Sequence, residues 1–260
     1  MQLNVKSLSE KLIGEEYLSS IIYHLETDST NKQAKSLNDG DNILILTDHQ
    51  TSGSGRFGRQ WISENSTDIS LSLIKKFRIS IDKMHLINFY TSYLIQLTLS
   101  ELYSKNDLRI VLKWPNDILM NKKKVCGILL DVQDLNAEKK KFIIGIGINC
   151  NTTEFSTEII SKATSLKKET GNEVSREDII VRFVKNFYDN LSVLNEPNKL
   201  MNKWRENTEI IGKEIKFRML EDGEEITGKV NNIENDGGLK IEISPGNFNV
   251  YYSGQITFGY

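Results

Sequence analysis

From Gln50 to Trp61 the chain reads Q-T-S-G-S-G-R-F-G-R-Q-W, which sets two arginines inside a glycine-rich loop. Gly53, Gly55 and Gly58 let the backbone approach a ligand where a β-carbon would obstruct it. Arg56 and Arg59 add permanent positive charge and forked donors suited to a phosphate or another anion. The chemistry this predicts is the holding of phosphate. The same glycines satisfy G-x-G-x-x-G, the dinucleotide fingerprint, but the context fails. That fingerprint needs a strand running into the glycines, a helix straight after them and an acidic residue about 20 positions on. Here the apolar run Ile43–Leu46 ends early, Trp61 and polar residues follow Gly58, and Arg78 stands where the acid would be.

Three further segments carry candidate chemistry. Asp28-Ser29-Thr30-Asn31 offers hydroxyls and an amide, and the same side chains are good helix caps; on the residues alone, cap and ligand site both stand. Lys113-Trp114-Pro115-Asn116-Asp117 sets a cation and a carboxylate around a proline, and Lys122-Lys123-Lys124 follows, which by itself reads as a solvated hairpin tip. Gly145-Ile146-Gly147-Ile148-Asn149 is a β-branched, glycine-punctuated run; its glycines, like Gly127, suit a bulge as well as a ligand. His24, His49 and His85 are scattered, and only His49 stands near the loop. Cys126 and Cys150 lack metal or redox spacing and read as small buried hydrophobes. No Ser/His/Asp or Cys/His arrangement suggests a protein nucleophile, and no residue set suggests a protein-held metal.

The elements that must position these residues follow from periodicity. Residues 1–19 read as helix and Ile21–Glu26 as strand; Asp28–Asn31 opens a short helix that ends near Asn38-Asp39-Gly40. Strands are expected at Asn42–Thr47 and Asp68–Ile74. Met84–Tyr103 repeats apolar residues at helical spacing, so one face should pack on a sheet. Arg109–Lys113 is strand-like, and Ile118–Met120 with Lys124–Asp131 forms a hairpin turned at Asn121-Lys122-Lys123. Lys141–Cys150 reads as a central strand and Arg176–Leu194 as a second amphipathic helix. Composition shifts near Glu209. Beyond it, strand-like segments at Glu214–Leu220, Ile226–Ile233, Leu239–Ile243, Asn247–Tyr252 and Gln255–Phe258 are punctuated by Asp222-Gly223, Asp236-Gly237-Gly238 and Pro245-Gly246, the signature of a small all-β barrel. The expected division is a mixed α/β domain over residues 1–209 and a β domain over 210–260.

Composition excludes several classes. The chain of 260 residues can bury a full core, and 38% hydrophobic with 26% charged residues is ordinary for a globular protein. A net charge of −2 argues against a dedicated nucleic-acid binder. No apolar run is long enough to span a membrane, and the charged N-terminus lacks a signal-peptide stretch, so a cytoplasmic location is expected.

Taken in order, the D-S-T-N tetrad, the G-x-G-R-x-G-R-x-W loop, the K-W-P-N-D run and the G-I-G-I-N strand resemble the biotin protein ligases, also called biotin–[acetyl-CoA carboxylase] ligases. The resemblance runs from about Tyr23 to the C-terminus. It implies an α+β fold: a mixed-sheet catalytic domain of the biotin/lipoate ligase type and a small C-terminal SH3-like β-barrel. The implied reaction is ATP-dependent, with Mg²⁺ accompanying ATP. Biotin is activated as biotinyl-5′-AMP and passed to a specific lysine of the biotin carboxyl carrier domain of a carboxylase. Joining an anion to a polyanion requires positioning and charge neutralisation, which suits these residues.

Carried onto this chain, the resemblance places Ser29, Thr30, Asn31 and Gln50 at the biotin site. Ser54, Gly55, Arg56 and Arg59 belong to the ligand loop, with Arg56 holding the adenylate and Trp61 covering the ligand as the loop orders. Lys124 becomes the key catalytic charge, because the family's lysine stands three residues before the glycine matched by Gly127. Lys113, Asn116 and Asp117 frame the K-W-P-N-D turn, and whether Asp117 holds Mg²⁺ or organises the turn stays open. Gly127, Gly145 and Gly147 keep side chains clear of biotin's rings, and Asn149 reaches the nucleotide. Ser54 departs from the Arg or Lys usual there, and Gln255 from a common acidic residue. About 27 residues precede Asp28, too few for the winged helix-turn-helix of the family's repressors, so no DNA binding is expected. Lipoate or octanoate ligation and a non-catalytic binding module are the alternatives; a monomer or a homodimer is expected.

Overall fold

The computed structural model describes residues 2–62, 66–103, 108–219 and 223–258. Helix α1 (Val5–Leu12) is capped by Asn4, whose Oδ1 accepts from the Ser7 amide. The expected helix over 1–19 stops there, because Gly14 turns the chain: the Gly14 amide donates to the Leu18 carbonyl and buries Leu18. Strand β1 (Ser20–Thr27) leads to α2 (Thr30–Ser36), then β2 (Ile43–Gln50) and β3 (Ile69–Phe77). Helix α3 (Leu86–Tyr103) precedes β4 (Ile110–Lys113), β5 (Asp117–Met120), β6 (Lys123–Gln133) and β7 (Lys140–Ile148).

These seven strands form one mixed sheet in the order β1-β2-β3-β7-β6-β5-β4, with β1 and β2 parallel and the other pairs antiparallel. An antiparallel β2–β3 pair, joined through a short 3-10 turn at Arg56–Gly58, rules out a dinucleotide-binding β-α-β unit. The β5–β6 hairpin turns on Asn121 and Lys122, both at positive φ, as a two-residue hairpin connection requires.

Alternation along the strands sorts the side chains. Leu44, Leu46, Leu71, Leu73, Ile144, Ile146 and Ile148 enter the main core with the helices, while Ala34 of α2 packs on Ile45, Ile74 and Ile143 from the opposite face. The back layer holds α1, α3, α5 (Arg176–Asp189) and α6 (Pro197–Glu206). Helix α3 is buried on more than the single face its sequence suggests, since the sheet lies on one side and α5 and α6 on the other. Even its hydroxyls are engaged: Ser92 Oγ accepts from Trp204 Nε1 and Thr98 Oγ1 from Asn186 Nδ2. The single helix expected over 176–194 breaks at Asn190, whose amide folds back onto the Asn186 carbonyl, and Pro197 starts α6. A five-residue helix, α4 (Leu166–Thr170), was not legible in the sequence.

Beyond α6, β8 (Glu214–Arg218), β9 (Glu225–Ile233), β10 (Leu239–Ser244), β11 (Asn247–Tyr251) and β12 (Gln255–Phe258) form a separate antiparallel sheet, ordered β11-β10-β9-β8-β12. Of the expected strand and turn here, Leu220 and Asp222 lie outside the described residues. The expected barrel is not closed, because β11 and β12 do not pair with each other. The sheet still curls: the rings of Phe217 on β8 and Tyr251 on β11 stand 4.3 Å apart. Among the described residues no helix is long and apolar enough to cross a membrane.

Candidate active site

The face of the large sheet that carries α2 presents a floor of glycines. Gly127 on β6 pairs with Gly147 on β7, and Gly145 lies two residues back on the same face. What covers these glycines is specific. A β-carbon on Gly145 would collide with the Asn31 carboxamide, and one on Gly147 with the Trp61 indole. A β-carbon on Gly127 would lie 2.8 Å from Lys124 Nζ and 3.1 Å from the Trp61 ring. The floor therefore admits flat or polar groups that side chains would exclude.

One wall is the start of α2. Ser29 is buried at the N-cap position, yet its side chain makes no capping bond; the Gln50 carboxamide oxygen accepts from the Thr30 amide at 2.9 Å instead. Ser72 Oγ lies 2.8 Å from Thr30 Oγ1 and 2.5 Å from Asn31 Oδ1, and Asn31 Nδ2 donates to Asp131, which pairs with Lys35. The tetrad thus does more than cap a helix: its polar groups are fixed by strands on the site's own face.

The other wall is cationic. Lys124 Nζ lies 2.7 Å from Asp117 Oδ1, with the two side chains only 35% and 24% exposed. Lys113 is half-buried beside them, and desolvation pulls its ammonium below the usual lysine range against the attraction of Asp117; Lys124, Arg59 and Lys162 push the same way as desolvation. Burial likewise lowers Arg56, which Asp117 partly offsets and Arg59 reinforces. Arg56 Nη1 donates to Asn116 Oδ1 at 3.1 Å, and its guanidinium stands 4.8 Å over the Phe57 ring. One carboxylate is shared by a cluster of cations, an arrangement that favours an incoming polyanion.

The loop closes on itself: the Trp61 amide donates to the Gly53 carbonyl and the Gly55 amide to that of Arg59. Ser54 makes an isolated bridge to Gln60. Asn149 Nδ2 donates to the Thr164 carbonyl, and its backbone ties Val125 to Leu166. It secures the segment clasped by the Lys124 backbone.

Several residues at the site carried no sequence signal. Asp48 and Arg176 form a buried ion pair at 2.8 Å, and the Tyr23 hydroxyl donates to Asp48. Asp68 accepts from the Cys150 amide and the Thr152 hydroxyl. These bonds clamp the strand ends from which the loop departs and to which it returns. Lys162 joins the cation cluster from a polar stretch where nothing marked it. His85 touches the Asp236 carbonyl of the second sheet. Cys126 and Cys150 are buried free thiols pushed up by burial, as a structural reading requires.

Residues 24–149 match the biotin/lipoate A/B protein ligase family. The bifunctional ligase/repressor BirA of Bacillus subtilis is 32% identical over 248 residues, which span 92% of this chain and 74% of that one. A biotin–[acetyl-CoA-carboxylase] ligase of Mycobacterium tuberculosis is 25% identical over 93% of this chain and 90% of its own. Among solved structures, the biotin protein ligase of Aquifex aeolicus in complex with biotin and ATP superposes with a TM-score of 0.74 at 29% identity, covering 92% of this chain and 98% of that one. The chain belongs to the biotin/lipoate A/B protein ligase family.

Proposed function

We propose that this protein activates biotin with ATP and transfers it to a lysine of a biotin carboxyl carrier protein or domain. The observation that carries the reading is the meeting of two walls over one glycine floor. Ser29, Thr30, Asn31 and Gln50 offer hydrogen bonds to a neutral polar ring, and Lys124, Lys113, Arg56 and Arg59 offer charge to a carboxylate and phosphates. The similarity to a biotin–[acetyl-CoA-carboxylase] ligase of Mycobacterium tuberculosis and to an Aquifex aeolicus biotin protein ligase in complex with biotin and ATP supports this reading.

In the first step a biotin carboxylate oxygen attacks the α-phosphorus of ATP. A P–O bond forms, the bond to the β-phosphate bridging oxygen breaks, and pyrophosphate leaves with its negative charge. Lys124 neutralises the carboxyl oxygen and α-phosphate as they meet, and Arg56 holds the adenylate afterwards. Asp117 pairs with Lys124 and so positions its ammonium in the site. In the second step the acceptor amine attacks the anhydride carbonyl, its proton is lost and AMP departs. Mg²⁺ would enter as part of the nucleotide substrate and share the neutralisation of its phosphates, beside the Asp117 carboxylate that pairs with Lys124. We assign the chemistry to residues 1–209, and residues 210–260 to a smaller β domain.

The test is biotin-dependent exchange of labelled pyrophosphate into ATP, with lipoate and octanoate in parallel. Exchange with biotin alone is expected. Lys124→Ala should cut it about 100-fold or more, the size of one lost transition-state charge contact, without lowering the thermal midpoint. Exchange with lipoate or octanoate instead would reassign the substrate, and none with any acid would leave a binding module.

A further inference from the structure

The second sheet reaches into the cation cluster at one point. Arg56 Nη2 donates to Ser253 Oγ at 2.9 Å, across 197 positions of sequence, while Nη1 donates to Asn116 Oδ1. Asn116 is itself fixed, because its Nδ2 donates to the Ile128 carbonyl at 2.7 Å. The guanidinium is therefore gripped on two sides, by the K-W-P-N-D turn and by the turn between β11 and β12.

That second turn is not a loose surface loop. Tyr252 donates its hydroxyl to Asp236 at 2.7 Å on one side of Ser253. On the other, Gly254 adopts φ +151 and lies so close over the Phe217 ring that a β-carbon would stand 2.5 Å from it. Phe217 in turn faces Trp114 at 6.3 Å, and Trp114 Nε1 donates to the Gly237 carbonyl at 2.9 Å. The motif that supplies Asn116 to Arg56 thus also docks the sheet that supplies Ser253.

Resting on the ligase reading above, we propose that Ser253 is a positioning residue for the adenylate: it orients Arg56, so that the second sheet completes the ligand site. A guanidinium carries five N–H groups in a plane. Two are taken by Asn116 and Ser253, which fixes the plane and the direction in which the rest point toward a phosphate. Without Ser253 the side chain keeps one anchor and can swing about it. The charge stays in the site but is no longer aimed. The effect belongs on ATP binding and adenylate retention, and biotin binding alone, on the α2 wall, should not feel it.

The experiment uses the full chain and three proteins: unaltered, Ser253→Ala and Ser253→Thr. Pyrophosphate exchange gives KM for ATP and kcat, a single-turnover chase gives the release rate of biotinyl-5′-AMP, and titration gives the Kd for biotin. Ser253→Ala should raise KM for ATP and speed adenylate release by about tenfold, as losing one hydrogen bond to a charged group predicts. Its Kd for biotin and thermal midpoint should not move, and Ser253→Thr, which keeps the hydroxyl, should recover most of the loss. Unchanged KM and release in Ser253→Ala would overturn the proposal, as would equal defects in both variants with a lowered thermal midpoint. Exchange by the unaltered chain with no effect of Ser253→Ala removes only this proposal; no exchange by the unaltered chain removes the ligase reading and this proposal with it.

Discussion

Trp61 sits at the meeting of both walls, and its indole makes a testable conflict. The ring lies over Gly127 and Gly147, with Lys124 Nζ 5.4 Å from its centre. Its Nε1 is buried and has no hydrogen-bond partner among the described residues, a situation that costs on the order of 1–3 kcal/mol. Packing and the Lys124 cation keep it there, on the floor that the function proposed above gives to biotin. On that proposal biotin and this indole position exclude each other, so binding should move the ring. The other tryptophans are buried and bonded, Trp114 to Gly237 and Trp204 to Ser92, so they report little. Adding biotin should change the intrinsic fluorescence, and Trp61→Phe should abolish most of that change. A change that survives Trp61→Phe would mean that the indole stays in place. At this scale charge type and glycine spacing drew attention to the loop of Arg56, while Lys124, Gly127 and Gly147 were marked only by the family resemblance; the structure brings all four together. The sequence was silent where partners are remote, as with Asp48 and Arg176, which are 128 positions apart. Nor does any local pattern say which neighbour a glycine must admit, as Gly145 admits Asn31.

At the scale of elements, legibility followed how local the cause was. The β5–β6 hairpin and β7 could be read because turn residues and β-branched runs act over a few positions. The open edge of the second sheet depends on contacts from elsewhere in the chain, whereas the end of α1 and the break between α5 and α6 rest on local residues, Gly14, Asn190 and Pro197, whose weak stop signals the apolar periodicity masked. The back layer has a consequence for pH. Burial raises the phenols of Tyr90 and Tyr103 on α3 and Tyr188 on α5, while Tyr23 on β1 is pushed up to about 12 by burial and by its bond to Asp48. A phenol whose pKa rises on folding lends stability that is complete below its unfolded value of about 10 and is lost as pH climbs through the folded one. Stability should therefore hold up to about pH 10 and fall beyond it. Phenolate absorbance should show a fraction of the tyrosines ionising only together with unfolding. Tyr23→Phe should make the alkaline decline shallower; an unchanged decline would show that Asp48 does not hold that phenol.

For the whole molecule, one apolar core runs through both sheets, with Phe217 facing Trp114, and a set of polar bonds rims the joint. Trp114 bonds Gly237, His85 reaches Asp236, and Arg205 donates to the Ile233 carbonyl and to Asn235. Each contact lands on or beside the turn between β9 and β10, so that turn acts as the socket of the joint. Gly237 is its tightest point, at φ +81 and pressed against the Phe89 ring. An alanine there suffers twice: the left-handed backbone costs about 1–2 kcal/mol, and the added carbon must displace Phe89. Gly237→Ala should lower thermal stability by at least that amount. If the joint also carries Ser253 to Arg56, the same variant should release biotinyl-5′-AMP faster, although it lies in a different turn from Ser253. Ser253→Ala and Gly237→Ala then differ in a defined way. The first loses retention at full stability; the second loses both, and Ser253→Ala added to Gly237→Ala should speed release little further, because the hydroxyl has already left its place. Additive effects in the double variant would mean that Ser253 holds Arg56 whether or not the socket is intact.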